Sequence, residues 1–328
     1  MKEKRKKKGK FIKILEYAAV YLLILISRAL PLKFIKIISN FLGDMLYLLV
    51  PRRRNIAIEN LKNAFRDKKT EKEIKEIARQ SCRSLFLTFL ETIKLRFLLT
   101  PLENNKILTG LTEIDASKAL RANNKELYEL FDKAKEIHDK SGGCIFVTPH
   151  IGNWEILLYV TSSVGIPLTV VVRPLDNNYL EKLLYSNRVA SGQVIIPKKN
   201  ALVALQKTLR QGKSIGMLPD QSTMKGISVN FFGRKATTTP VPAILAITYK
   251  RPIVVIACCR KSGNYQYEGF VCDPIWPEEF KSKKAEIFRL TEEMNRTMES
   301  IIQKYPEQYL WIHNRWKTYK DKREFMVK

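Results

Sequence analysis

The sequence predicts an α/β protein: a mostly parallel central sheet flanked by helices, preceded by an N-terminal membrane-anchoring helix. Three observations carry this. Short apolar runs at 144–147, 168–172, 194–196, 215–218 and 253–258 alternate with helical stretches, the pattern of βαβ units. His150, Arg173 and Asp220 each follow such a run, at the carboxyl strand ends where these sheets bind ligands. The chain also begins with a basic tail running directly into apolar sequence.

Residues 1–10 carry Lys2, Lys4, Arg5, Lys6, Lys7, Lys8 and Lys10 against Glu3 alone. Such a tail beside an apolar segment suits an anionic membrane surface, each basic residue contributing roughly 1 kcal/mol there. The uncharged stretch 17–27 rises only ~16 Å as a helix against a ~30 Å hydrocarbon core, so spanning requires Lys13 and Arg28 to snorkel. No small-residue cleavage site follows, which reads as an uncleaved anchor. A second apolar stretch, 34–50, fits a membrane-surface helix or a core helix. Arg52, Arg53 and Arg54 then mark the water side, the cytoplasm by the positive-inside tendency.

Two helices are expected across 55–99, parted near residues 67–70, where Thr70 followed by Glu73 forms a capping box. A helix over 125–138 leads into the opening strand. Beyond 156, helices are expected at 179–189, 201–210, 241–249 and 285–304, with further strands at 229–232 and 267–272. The resulting division is a basic tail (1–10), an anchor and interfacial helix (11–50), a helical N-terminal part (51–140) and an α/β core (141–328).

A net charge of +26 over 328 residues requires an anionic partner, and the tail followed by apolar sequence favours a membrane over nucleic acid. Five cysteines without C-x-x-C spacing argue against a disulfide framework and a structural zinc site, and three histidines argue against a multi-histidine metal centre. No metal and no cofactor are expected. Gly212–Lys213–Ser214–Ile215–Gly216 matches G-x-S-x-G, but a helix precedes it and a strand follows, the reverse of the hydrolase order. Ser214 is therefore not read as a nucleophile.

His150 and Glu155 form the chemical candidate. On one regular helix they would stand about 140° apart, so they meet only if His150 lies in the turn and Glu155 in the first helical turn. The carboxylate could then fix the imidazole tautomer and leave the other nitrogen as a base. Spacing alone favours the plainer alternative, a partly buried histidine with an unrelated glutamate at the helix N-terminus.

Five ordered segments resolve that ambiguity. They are His150–Ile151–Gly152–Asn153–Trp154–Glu155, Val172–Arg173–Pro174–Leu175–Asp176–Asn177, Leu218–Pro219–Asp220–Gln221, Phe231–Phe232–Gly233–Arg234, and the closing run from Pro306 to Lys317. With Arg53–Arg54–Asn55, Asn60–Leu61 and Phe65, they resemble the late acyltransferases of lipid A biosynthesis over nearly the whole chain. The chain departs from that pattern at Pro149, where a glycine is expected, and at 222–225.

The resemblance implies a glycerolphosphate-acyltransferase-like fold and an H-x-x-x-x-D/E dyad, here His150 and Glu155. It implies an acyl carrier protein thioester as donor, an anionic lipid acceptor and the cytoplasmic face of the inner membrane. Arg173, Asp220, Asn153 and Gln221 are the expected oxyanion or substrate contacts, with backbone N–H groups near Gly152 as further oxyanion donors. Arg173 could instead hold an acceptor phosphate or pair with Asp220, and Asp220 could back Arg173 or contact sugar hydroxyls. The rival readings are the same fold acting on another glycolipid or a lysophospholipid and, from a different class, a non-catalytic basic membrane or nucleic-acid-binding protein.

Overall fold

The structure, a computed structural model, describes residues 9–99, 124–172, 174–189, 191–198, 201–262 and 266–317. A six-stranded sheet runs through it in the order β3-β2-β4-β1-β7-β8. Its strands are β1 (Ile145–Val147), β2 (Leu168–Val172), β3 (Val194–Pro197), β4 (Ser214–Met217), β7 (Ile253–Arg260) and β8 (Tyr267–Val271). The first five are parallel, and β8 closes one edge antiparallel to β7. Every residue of β1 is buried, as expected of a strand covered by helices on both faces.

Strand β1 lies between β4 and β7, with Val147 opposite Met217. His150 and Asp220 each stand three residues beyond that pair, so the register delivers both to one point on the carboxyl edge. A separate antiparallel hairpin, β5 (Ile227–Phe231) and β6 (Arg234–Thr238), packs beside the sheet. Its second strand was not expected, because Arg234–Lys235–Ala236–Thr237–Thr238 carries little apolar periodicity.

The helices are α1 (Lys10–Ala29), α2 (Leu32–Leu49), α3 (Pro51–Phe65), α4 (Glu71–Leu99), α5 (Lys125–Ser141), α6 (Ile156–Ser163), α7 (Asn178–Val189), α8 (Ala201–Arg210), α9 (Val241–Tyr249) and α10 (Lys283–Lys304). The capping box at α4 forms as the sequence requires: Thr70 N donates to Glu73 Oε2 at 2.8 Å and Glu73 N to Thr70 Oγ1 at 3.3 Å. Helices α3 and α4 share one core with the sheet, since Ala57, Leu61, Phe65, Ile74 and Ala78 pack in the same cluster as Ile145, Val255 and Trp311.

Among the described residues no single helix is long and apolar enough to cross a membrane, and only the bent pair of α2 and α3 has the length and composition together. Both N-terminal helices pack on the body. Asp44 of α2 accepts a forked pair of bonds from each of Arg79 and Arg83, at 2.6–2.8 Å. Gly43 permits that approach, since a Cβ there would sit 2.4 Å from the Arg83 Cα. The outward faces of α1 and α2 expose Phe11, Leu15, Leu22, Ile37, Phe41 and Leu48.

The closing segment ties the two halves together. Asn60 of α3 is buried, and its amide nitrogen donates to the carbonyls of Trp311 (2.7 Å) and His313 (2.6 Å). Trp311 is fully buried against Phe65, Phe232 and Tyr309, with its indole nitrogen donating to Pro306 O. Trp311→Ala is expected to cost about 3–5 kcal/mol, the range for large aromatic truncations, measured by denaturant unfolding in detergent.

Candidate active site

The turn after β1 is pinned on every side. Gly152 has φ +58°, and a Cβ there would come within 2.1 Å of the Cys258 carbonyl oxygen, so only glycine fits. Its N–H donates to Gln308 O at 3.2 Å, and its carbonyl accepts from the Thr88 hydroxyl at 2.7 Å. Asn153 N donates to Cys258 O at 2.8 Å, and Leu310 N donates to His150 O at 3.0 Å. The closing segment thus runs beside the turn, with Ile151 joined to Tyr309 by an isolated antiparallel bridge.

Inside this frame Asp220 grips His150 twice: His150 N donates to Oδ2 at 2.8 Å, and Nδ1 lies 2.6 Å from Oδ1. The Asp220 side chain is 2 % exposed and that of His150 18 %, so the carboxylate is sealed beneath a ring that reaches solvent. Burial pushes the Asp220 carboxyl up, but the imidazole's charge and the two hydrogen bonds outweigh it and hold the carboxyl below its ordinary range. An ionised carboxylate only accepts, so Nδ1 carries the proton, and in the neutral ring Nε2 keeps its lone pair. Trp154 packs edge-on against the imidazole at 5.3 Å between centroids and restricts its plane.

The structure therefore puts Asp220, not Glu155, at Nδ1. The sequence paired His150 with its neighbour in the chain; the strand register supplies a partner seventy residues away. Glu155 is buried at the start of α6. Asp220, at 1 % exposure, backs the imidazole and is too buried for a sugar contact. Gln221 stands on the open side, its amide nitrogen 3.4 Å from Nε2.

Two further expectations change. The backbone N–H groups of His150, Ile151, Gly152 and Asn153 are all engaged within the protein and cannot form an oxyanion hole. Asn153 is wholly buried: its amide donates to Glu91 at 3.1 Å, and its oxygen accepts from Thr92 and from Ile156 N. It positions the turn rather than touching substrate. Arg173 lies outside the described residues. Ser214, at the start of β4, is fully buried and bonded to His138 and Cys144 N, in keeping with its rejection as a nucleophile.

Sequence reasoning gave no role to the polar groups that hold this turn. Arg260, at the end of β7, pairs with Glu91 at 2.7 Å and donates to Ser84 and Thr88, linking α4 to the turn. Tyr309 is buried, with its ring edge-on to Trp311 at 4.8 Å between centroids. Arg315 is buried, donating to Thr237 O and Thr238 Oγ1 at 2.7 Å over the Phe231 ring, and its charge favours an ionised Asp220. His313 Nε2 accepts from Ser222 N at 3.1 Å, which fastens the segment after Gln221. The motif Trp311–Ile312–His313–Asn314–Arg315 was the one available signal for this group, and spacing alone could not say what it touches.

Residues 3–318 match the family model described as bacterial lipid A biosynthesis acyltransferase. The lipid A biosynthesis palmitoleoyltransferase of Escherichia coli is 25% identical over 294 residues, 88% of this chain and 87% of that protein. A lipid A biosynthesis acyltransferase of Haemophilus influenzae is 25% identical over 83% of this chain and 80% of its own length. The phosphatidylinositol mannoside acyltransferase of Mycolicibacterium smegmatis is 21% identical over 54% of this chain and 58% of its own length.

Asp220→Asn is expected to lower kcat by about 10³–10⁴-fold, the scale seen when an orienting carboxylate is replaced by an amide that favours the wrong tautomer. Steady-state rates on purified protein check this. Burial holds His313 and His138 below the ordinary histidine value, so the unfolded chain takes up protons first as pH falls. The stability linked to them is full above about pH 6.5 and declines as pH drops toward their folded values. Melting temperature should therefore fall between about pH 7 and pH 5.5, and His313→Gln should flatten part of that slope.

Proposed function

Because the chain belongs to the bacterial lipid A biosynthesis acyltransferase family, and is thereby an O-acyltransferase, we propose that it transfers a fatty acyl chain to a hydroxyl of a lipid A precursor. The carrying observation is the His150–Asp220 pair: a buried carboxylate fixing one ring nitrogen while the other, on the partly exposed ring, faces Gln221.

His150 Nε2 takes the acceptor hydroxyl proton as that oxygen attacks the thioester carbonyl. Asp220 stabilises the imidazolium without itself taking the proton. The tetrahedral intermediate collapses, the C–S bond breaks, and the thiolate leaves with the proton returned from the imidazolium. No acyl-enzyme is required. Gln221, through its amide nitrogen, is the proposed neutral donor to the developing oxyanion or the acceptor hydroxyl, with Arg173 as a cationic one. Glu155 is proposed as a second carboxylate of the site, at the N-terminus of α6.

The proposed donor is an acyl carrier protein thioester, consistent with the charge of +26, since carrier, phosphate-bearing acceptor and membrane are all acidic. The proposed location is the cytoplasmic face of the inner membrane, with α1 and α2 lying in the interface. Their exposed Phe11, Leu22, Phe41 and Leu48, together with Lys10, Lys13, Lys33 and Lys36, have the composition of interfacial helices. A second reading, transfer to another glycolipid, is favoured by the likeness to the mannoside acyltransferase.

His150→Ala should reduce acyl transfer to a lipid A precursor by at least about 10³-fold, a loss of the size expected for a general base, while sedimentation with vesicles stays at the wild-type level. Mass spectrometry of the acylated products separates the two acceptors. Wild-type turnover by the His150→Ala protein would remove His150 as the base.

A further inference from the structure

The N-terminal turns of α1 and α7 enclose an open pocket of about 450 Å³, lined by Lys10, Lys13, Asn178, Tyr179 and Lys182. Three of the five lining residues are cations and none is a carboxylate. The pocket rests on a buried side chain. Asn177 is 4 % exposed; its amide nitrogen donates to Lys13 O at 2.8 Å and Glu16 Oε2 at 3.1 Å, while its oxygen accepts from Tyr179 N at 3.1 Å. Tyr17 and Tyr179 stack obliquely below, at 5.9 Å between centroids. Asn177 thus locks α1 to α7 and donates to the Glu16 carboxylate.

The position is as informative as the charge. Helix α7 follows β2, which is separated from β1 by β4 alone. Two strand spacings are about 10 Å, so the pocket opens near the carboxyl edge that carries His150. In sequence Lys10 and Lys13 are bracketed by Phe11, Ile12, Ile14 and Leu15, all exposed apolar residues. A ligand that is anionic at one end and apolar at the other satisfies both features.

We propose that this pocket binds the phosphate of a lipid headgroup, held by Lys10, Lys13 and Lys182 with the Asn178 amide and the Tyr179 hydroxyl as neutral donors. Ammonium groups suit a phosphate approached from several sides, and the concavity suits a small group better than the face of an acidic protein. The binding needs no acyl transfer, so it stands or falls separately from the reaction proposed above.

The test is a lysine footprint. Full-length His150→Ala protein in dodecyl maltoside micelles, with and without phosphatidic acid, is treated with an acetylating reagent and read by peptide mass spectrometry. Phosphatidic acid should slow acetylation of Lys13 and Lys182 by about fivefold, the factor equivalent to roughly 1 kcal/mol per lysine. The exposed Lys33 and Lys36 of α2 serve as references and should change far less. Equal protection of all four lysines would show diffuse surface attraction and overturn the proposal. So would equal protection by inorganic phosphate, which would mark a free-phosphate site, protection by acyl carrier protein without lipid, or no protection. Using the His150→Ala protein keeps this outcome independent of whether His150 is the base.

Discussion

The geometry of this site depends on the parallel register of β1 and β4. With Val147 opposite Met217, the residues three positions on are held a strand spacing apart, and Asp220 reaches both the N–H and the Nδ1 of His150. A carboxylate gripping backbone and ring together fixes the position and the tautomer of the imidazole in one interaction. It also explains the tolerance of Asp220 for burial, because desolvation is offset by two short hydrogen bonds and nearby positive charge.

Around that pair the protein builds a frame from four distant segments. Helix α4 supplies Glu91 and Thr88, β7 supplies Arg260 and the Cys258 carbonyl, α3 supplies Asn60, and the closing segment supplies Gln308, Tyr309 and Leu310. The Glu91–Arg260 pair is buried, and its value lies less in net stability than in the directionality it gives the Gly152–Asn153 turn, to which it is joined through Thr88 and Asn153. Gly152 takes its left-handed conformation against Cys258 without penalty because it has no Cβ, and its N–H and carbonyl are both bonded, to Gln308 and Thr88.

The N-terminal helices join the same body. Asp44 fastens α2 to α4, and Asn177 fastens α1 to α7, so the apolar outer faces of both helices have a fixed orientation relative to the sheet edge. The exposed apolar faces of α1 and α2 and the His150 ring therefore belong to one packed unit.

Much of the architecture was legible in the sequence by itself. Alternating apolar runs placed β2, α8 and α9 at their observed bounds, and Thr70–Glu73 announced the start of α4, because periodicity and capping are local properties of the chain. His150 and Asp220 were both legible as residues at strand ends, and the ordered motifs named the family. Tertiary structure alone decided which of them touch. Adjacency of β1 and β4, separated by nearly seventy residues, assigned Asp220 to His150 in place of Glu155, and full burial turned Asn153 into a support of the turn. Packing also joined the N-terminus to the body: the apolar content of α1 was plain, but its attachment through Asn177 is a contact that no local pattern encodes. Sequence specifies what each segment can form, whereas strand order and burial, being relations between distant segments, exist only once the chain has folded.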